Sequence, residues 1–343
     1  MDLALSDEQA ELVVSFGNLL TRASSPDKVR AAEPDGFDRA LWDTLLQTGA
    51  VTMAVPTEQG GWGASLLDLS LVAEQLGLAL APAPVIEVQV ASRLLAGVAC
   101  DAACGALGGV LQGVRMVTLA LHPPRNAVAA LTPAGAVCDD VVVLDGERLL
   151  LVAVPAGARR PVANLGSAPL ADLDVAHGVE LEAGAAAVER FEAAIDEWLT
   201  LTASALVGVA TRAHEQVCAY AAERRAFGSV IGTYQGVAHP LADDATRLDG
   251  ARLLARKAAW SLDVGDPRSR ELAAMAFAFA SETAERATYD AVHFHGGYGF
   301  MLEHDVQLHY RRARGWARVW GDADAGYCRA AAARYGAVPP GDG

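Results

Sequence analysis

Lysine is nearly missing from this sequence of 343 residues, which contains only Lys28 and Lys257. The other cations are arginines, and 42 acidic against 27 basic residues leave a formal net charge of −15. Nucleic-acid backbones require clustered cations, so this balance argues against a nucleic-acid partner. An uninterrupted apolar run long enough to cross a bilayer is also lacking, and no membrane span is predicted.

Cysteine is scarce as well. The five cysteines are scattered, and neither paired C-x-x-C motifs nor an H-E-x-x-H motif occurs, so no metal site is predicted. Scattered cysteines are typical of free thiols in a reducing compartment. The first nine residues are acidic and lack a positively charged leader, which predicts a cytoplasmic protein. Ser6 with Gln9 predicts a capping box at the start of a first helix.

The periodicity of apolar residues changes twice along the chain. Helical spacing dominates to about residue 113, as in Leu66–Leu80 before an Ala-Pro breaker. Short β-branched runs with turns such as Asp145-Gly146 follow, and long alanine-rich helices return from about residue 183. One of the later helices is predicted from about Pro240 to Leu262. We therefore predict a mainly α fold with three domains: helical residues 1–113, a small middle β domain over 114–182, and a helical bundle over 183–343.

Two segments of the last domain together predict a dinucleotide site. Arg224, Phe227 and Gln235 lie at and just after a predicted helix end, and a glycine pair, Gly296-Gly297, follows a later helix. A guanidinium suits a pyrophosphate, an aromatic ring suits adenine, and glycines permit close backbone approach. Taken alone, the same residues also fit an ordinary helix end, a core phenylalanine and a glycine helix stop.

Three motifs resemble the acyl-CoA dehydrogenase family and occur in its order along the chain. The first is Val55-Pro56-Thr57-Glu58-Gln59-Gly60-Gly61-Trp62-Gly63, which resembles the family's V-P-x-E-x-G-G-x-G turn. The second is R-x-x-F-G at Arg224–Gly228, with Gln235 eight residues after the phenylalanine. The third is His295-Gly296-Gly297-Tyr298-Gly299, which matches H-G-G-x-G.

The resemblance implies an N-terminal helical domain, a short β-barrel-like domain and a C-terminal four-helix bundle. It implies α,β-desaturation of an acyl-CoA thioester with FAD, an oligomer, and an electron-transfer flavoprotein or similar acceptor. In such an enzyme a carboxylate takes the α proton and the flavin accepts the β hydride. The implied FAD-binding residues are Arg224, Phe227, Gln235, His293, Gly296 and Gly297.

The catalytic base departs from the family pattern. Most members carry a glutamate shortly after an arginine-rich segment, and counting along this chain places it at Trp320 or at Asp322. A minority carry it at the position of Arg225, and arginine is no base at neutral pH. Asp322 is thus the predicted base, with Asp324 behind it. The alternative is an Asp-Ala-Asp segment that caps the last helix and faces water.

The middle domain also departs from the family pattern. The family's T-E-P-x-x-G-S-D segment, which holds the flavin ring, reads Thr118–Arg125 here without those polar residues, and the later W-I-T/S-N motif is missing. This pattern favours one subunit of a heteromer, resembling the shortened subunits of actinobacterial steroid side-chain enzymes, with a homologous glutamate-bearing partner in an α2β2 assembly. The alternatives are a self-sufficient homo-oligomer that uses Asp322, and a helical scaffold without flavin.

Overall fold

A computed structural model describes residues 4–336, which contain eleven α-helices and nine β-strands. The helices are α1 Asp7–Ala23, α2 Pro26–Ala31, α3 Arg39–Gln47, α4 Leu66–Leu78, α5 Val85–Ala96, α6 Asp101–Leu111, α7 Ala185–Glu223, α8 Gln235–Asp263, α9 Ser269–His295, α10 Val306–Ala317 and α11 Ala323–Tyr335. The strands are β1 Val117–Leu119, β2 Val128–Thr132, β3 Asp140–Asp145, β4 Arg148–Ala153, β5 Arg159–Pro161, β6 Ala171–Asp174, β7 Val179–Ala183, β8 Arg225–Ala226 and β9 Ser229–Val230.

The chain divides into two compact units. One combines the chain up to Pro26, Ser70–Ala81 and everything from Leu199 onward; the other comprises Asp27–Leu69 and Pro82–Trp198. The mainly α fold with a small β region is confirmed. The strands of that region lie within residues 117–183, although the two domain boundaries, after residues 113 and 182, stay a prediction.

The β region consists of two small sheets. A four-stranded sheet has the order β1-β3-β4-β7, and a three-stranded sheet has the order β2-β6-β5. β3 and β4 form the predicted hairpin, in which Asp145 pairs with Arg148 across a turn that includes Gly146 at φ 63°. The strand residues of β3 and β4 are mostly buried, because apolar side chains occupy both faces.

The unit that contains the chain from Leu199 onward, called the helical unit below, is built around α9. One core cluster joins the C-terminal part of α7, the start of α8, the end of α9 and the start of α10, through Ala213, Val217, Ala221, Leu241, Ala291, Val292 and Val306. Small side chains along α9 permit close helix packing. The cluster therefore gathers four helix ends, and with them the loops that leave those ends, on one side of this unit.

One local prediction is confirmed and another is corrected. Ser6 and Gln9 form a capping box at the start of α1, with the Gln9 amide donating to Ser6 Oγ at 3.2 Å. The helix predicted from about Pro240 begins earlier, at Gln235, and contains Pro240. Proline lacks only one amide donor near a helix start, so this position interrupts little hydrogen bonding.

Helix α7 is long and apolar enough to span a membrane by length and composition alone. Its most apolar window is 89% buried within the protein, as in the core helix of a globular fold. All five cysteines are free thiols, as predicted, and Cys104 and Cys328 are exposed. Among residues 4–336, no three His, Cys, Asp or Glu side chains are grouped to hold a metal ion.

Candidate functional site

The R-x-x-F-G motif forms a short hairpin after α7. Strands β8 and β9 pair antiparallel, with Ala226 opposite Ser229, so Phe227 and Gly228 are the two residues of the turn. Both have positive φ, 51° and 85°, as in the type I′ turns of two-residue hairpins. Asparagine or glycine ordinarily occupies the first of these positions, because a larger side chain there costs on the order of 1 kcal/mol.

The phenyl ring at this turn stands in solvent. Phe227 is 99% exposed, so its side chain adds nothing to the core of this chain. The alternative interpretation of Phe227 as a core residue is therefore wrong. A fully exposed ring at a backbone position that disfavours it indicates a role in contact with another molecule.

Arg224 and Gln235 flank the same hairpin and are exposed. The Arg224 carbonyl accepts from the Ile231 amide at 2.8 Å, which closes the hairpin, while its guanidinium has no ion-pair partner among residues 4–336. Many other arginines of this acidic chain are paired, such as Arg252 with Glu74 at 2.8 Å. Arg224 is thus available for an external anion.

Gln235 is the first residue of α8. The preceding Tyr234 provides no side-chain cap for this helix, and Gln235 and Gly236 are exposed. A helix N-terminus presents amide donors and a partial positive charge, which favours anionic groups. Arg224 and the start of α8 therefore offer two kinds of donors beside one hairpin.

The glycine pair ends α9. Gly296 has φ 65° and donates its amide to the His293 carbonyl, and a 3-10 helix over Gly296–Phe300 follows. Gly297 differs from its neighbours: a Cβ there meets nothing within 4 Å, and its φ is not in the positive range. Packing within the described chain therefore does not require glycine at 297, whereas close approach of a ligand would.

A ladder of ring contacts, one stacked, one tilted and one edge-on, connects the two loops. Tyr220, one turn before Arg224, stacks on His295 with ring centroids 4.4 Å apart. His295 also contacts His304 at 4.5 Å, and His304 meets Tyr298 at 4.5 Å. This ladder links the end of α7 to the glycine loop after α9, so Arg224 and Gly297 belong to one surface of the helical unit.

His293 and His295 have different surroundings. His293, the predicted cofactor residue, is exposed and stacks on Tyr289 with centroids 5.9 Å apart. His295 is buried, and its Nδ1 lies 2.6 Å from the Ala291 carbonyl. The ladder residues Tyr220, His295 and His304 were not predicted; the i, i+4 spacing from Tyr220 to Arg224 was the available signal.

The structure places Asp322 at the start of the last helix. Asp322 is the N-cap of α11, and its Oδ1 accepts from the Ala325 amide at 3.0 Å. Trp320, the other position obtained by counting, packs edge-on against Phe277 at 5.3 Å. Glu285 of α9 lines the same cavity as Asp322. Glu285 precedes Gly296 by eleven residues, so roughly 16 Å of helix separates this side of the cavity from the glycine pair.

The cavity beside Asp322 has a volume of about 180 Å³ and is lined by several carboxylates. The two carboxylates that lie on α9, those of Glu282 and Glu285, each contact a partner side chain. Glu285 pairs with Arg318 at 3.1 Å and Arg314 at 3.8 Å. Glu282 accepts from the Tyr327 hydroxyl at 2.8 Å. Burial, followed by this hydrogen bond, raises the pKa of Tyr327 to about 12. Arg314 and Arg318 of the arginine-rich segment therefore pair with a carboxylate of this chain.

The first four residues of the segment at the position of the family's flavin-ring contacts, Thr118–Leu121, are buried, whereas His122 and Arg125 are exposed. Thr118 lies in β1 and donates its hydroxyl to the Pro133 carbonyl at 2.7 Å. Leu119, Ala120 and Leu121 are buried as well. The threonine hydroxyl is therefore committed within the chain, and its three neighbours supply no polar side chain.

Comparison with family models agrees with these motifs. Residues 189–325 match the acyl-CoA dehydrogenase C-terminal domain, and residues 6–101 match the N-terminal domain of the same family. Together the two models match most of the chain. Members of this family are oxidoreductases that act on CH–CH donors, and the family generally binds FAD.

Individual relatives extend over nearly the whole chain. Acyl-CoA dehydrogenase IpdE2 of Mycolicibacterium smegmatis is 29% identical over 320 residues, which cover 92% of this chain and 96% of IpdE2. A chain of the ChsE4-ChsE5 complex from Mycobacterium tuberculosis is 25% identical with a TM-score of 0.87, over 95% of this chain and 97% of that one. A variant of the Tcur3481-Tcur3483 steroid ACAD is 24% identical with a TM-score of 0.85, over 96% and 98%. The motifs, the fold and these matches agree: the chain belongs to the acyl-CoA dehydrogenase family.

Proposed function

We propose that this chain is one subunit of a heteromeric, FAD-dependent acyl-CoA dehydrogenase whose homologous partner supplies the catalytic glutamate. The observation that carries the proposal is a contrast within the chain. The side chains of Arg224 and Phe227 are exposed, and the Arg224 guanidinium has no ion-pair partner among residues 4–336, whereas Asp322 is engaged as a helix cap. The dinucleotide-binding groups are therefore available, and the predicted base is committed to structure.

The exposed residues fit the diphosphate and adenosine part of FAD. An unpaired guanidinium and an uncapped helix start suit two phosphates. An exposed aromatic ring suits stacking on adenine, and an unobstructed Gly297 permits a ligand to approach the backbone. His293 and Gly296 border this surface and complete the proposed binding set.

FAD, when bound, supplies the hydride acceptor for desaturation of the Cα–Cβ bond of an acyl-CoA thioester. In this proposal, Arg224 and the start of α8 bind the negatively charged diphosphate of FAD, and Phe227 orients its adenosine. The chain contributes no residue for α-proton abstraction. The buried Thr118 segment likewise lacks the polar side chains of the family's ring-binding motif, so ring contacts come from the partner.

The exposed apolar side chains after the glycine pair support an oligomer. Phe300 is 72% and Leu302 73% exposed, next to the loop that carries the binding glycines. A patch of this kind marks a protein interface more often than free surface. Similarity to a chain of the ChsE4-ChsE5 complex supports a heteromer. Similarity to the Tcur3481-Tcur3483 steroid ACAD supports a steroid-derived acyl-CoA substrate. An electron-transfer flavoprotein or similar carrier is the proposed acceptor.

Flavin stoichiometry tests the proposal. The chain is co-expressed with a homologous subunit that retains the glutamate loop, and flavin is counted per tetramer. Two FAD per tetramer are expected if each site is shared by two unlike chains, and four are expected for independent sites. A yellow, fully active homotetramer of this chain alone contradicts the proposal.

Substitution of Arg224 tests the binding role. Arg224→Ala in the complex is expected to weaken FAD binding by at least tenfold, because a charge-assisted contact is lost. Arg148→Ala is the control, since Arg148 forms an exposed ion pair with Glu180 at 2.7 Å in the β region. Equal FAD content in the two variants argues against Arg224 as a ligand.

A further inference from the structure

The turn that carries Phe227 is held by the side chain of Tyr234. The Tyr234 hydroxyl donates towards the Ala226 carbonyl at 2.9 Å and the Phe227 carbonyl at 3.3 Å. These carbonyls belong to the two successive peptide groups that flank the Cα of Phe227. One phenol group therefore lies against both peptide groups of Phe227.

The turn needs such support. A two-residue hairpin with two residues in each strand gains little from its ladder alone. Phenylalanine at its first position disfavours the positive φ that the turn requires. The ring itself is 99% exposed, so it gains no compensating burial within the part of the chain that the structure describes.

Tyr234 also determines where α8 begins. Its carbonyl accepts from the amides of Val237 and Ala238, each at 2.9 Å, and so forms the first hydrogen bonds of the helix. Gln235 follows directly at the helix start. The backbone of Tyr234 thus positions Gln235, while its side chain reaches back to Phe227.

We propose that Tyr234 is a positioning residue for nucleotide binding: its hydroxyl holds Phe227 in the strained turn and couples that ring to Gln235 at the start of α8. The proposal rests on the proposed function, because it assigns the two positioned side chains to FAD. Tyr234 itself touches neither the substrate nor the reacting atoms. Its contribution is to reduce the ordering that binding would otherwise require.

The test separates the turn from the ring. Tyr234→Phe removes only the hydroxyl, and Tyr335→Phe, at the end of α11, is a matched control outside the hairpin. Phe227→Asn places a residue suited to the turn at its first position but removes the ring. Hydrogen exchange of the amides in residues 224–231 is measured on the chain without FAD, and the FAD dissociation constant is measured on the complex with the homologous subunit.

For Tyr234→Phe, exchange in 224–231 is expected to rise about three- to tenfold, and FAD affinity to fall by a similar factor, with Tyr335→Phe unchanged in both. Phe227→Asn is expected to keep slow exchange and still lose affinity. Unchanged exchange in Tyr234→Phe overturns the proposal, as does faster exchange with unchanged affinity. A wild-type complex that binds no FAD rejects the proposed function, while the exchange comparison still decides whether Tyr234 holds the turn.

Discussion

Tyr220 and His295 stack with ring centroids 4.4 Å apart and an interplanar angle of 27°. Tyr220 lies one turn before the end of α7, and His295 is the last residue of α9. The two loops of the proposed nucleotide site leave the helices at these points, about 70 residues apart in sequence. This contact therefore joins the ends of α7 and α9, from which the two loops leave.

Removing the stack should loosen both loops together. Tyr220→Ala deletes a ring that bridges the ends of α7 and α9, so we expect a loss of roughly 2–4 kcal/mol in the free energy of unfolding. Tyr220→Phe keeps the ring and should stay within about 1 kcal/mol of wild type. Urea denaturation measures both values, and equal losses in the two variants contradict a stacking role.

The glycines of the H-G-G-x-G motif should separate into ligand and packing positions. A Cβ at Gly299 lies 2.6 Å from the Val292 carbonyl, whereas a Cβ at Gly297 meets nothing within 4 Å. Gly299→Ala is therefore expected to destabilise the fold by on the order of 1–3 kcal/mol. Gly297→Ala should leave the melting temperature unchanged and weaken FAD binding. Equal FAD affinity in Gly297→Ala and wild type removes Gly297 from the proposed site.

Asp322 should act as a helix cap and not as the base. Asp322→Asn retains an acceptor for the Ala325 amide, so we expect wild-type stability and wild-type flavin reduction by acyl-CoA in the complex. Asp322→Ala loses the cap and should cost about 1 kcal/mol of stability. Stopped-flow reduction and thermal denaturation give the two readouts. Abolished reduction in Asp322→Asn, with flavin still bound, assigns the base to this chain.

Asp244 should make stability depend on pH in an unusual direction. Burial, followed by the nearby Asp290 carboxylate, raises the pKa of Asp244 to about 7, against the opposing effect of Arg286, whose Nε lies 3.3 Å away. A raised carboxyl pKa means that the folded state holds the proton more tightly. Its contribution is present below pH 4 and is lost as pH rises through 7, by roughly 2–4 kcal/mol.

The comparison variant is Asp244→Asn, which cannot ionise. Its stability relative to wild type should increase from pH 5 to pH 7 in urea titrations and level off between pH 7 and pH 8, where Asp244 is ionised in both the folded and the unfolded state. Asp243→Asn is the control, because Asp243 is the exposed neighbour that lies 3.8 Å from Arg286. Parallel curves for wild type and Asp244→Asn over this range show that Asp244 does not hold a proton in the folded state.

Sequence periodicity predicted the helical and strand segments well, because the elements are long or strongly patterned. The β3–β4 hairpin followed from two apolar runs around Asp145-Gly146. The start of α8 was placed too late, at Pro240 rather than Gln235, because proline is tolerated within the first turns of a helix. Terminal residues depend on local hydrogen bonds, such as those accepted by the Tyr234 carbonyl.

The sequence by itself determined the family, the order of the motifs and the residues offered to a nucleotide, since these depend on residue types and spacing. Only the tertiary structure decided which of those side chains are free: Phe227 faces solvent, Arg224 has no ion-pair partner in residues 4–336, and Asp322 caps α11. The contacts that decide this are between residues distant in sequence, as in Tyr220 with His295, or depend on backbone angles, as at Phe227. Neither appears in a linear pattern of residues, because each arises only when the helices have packed.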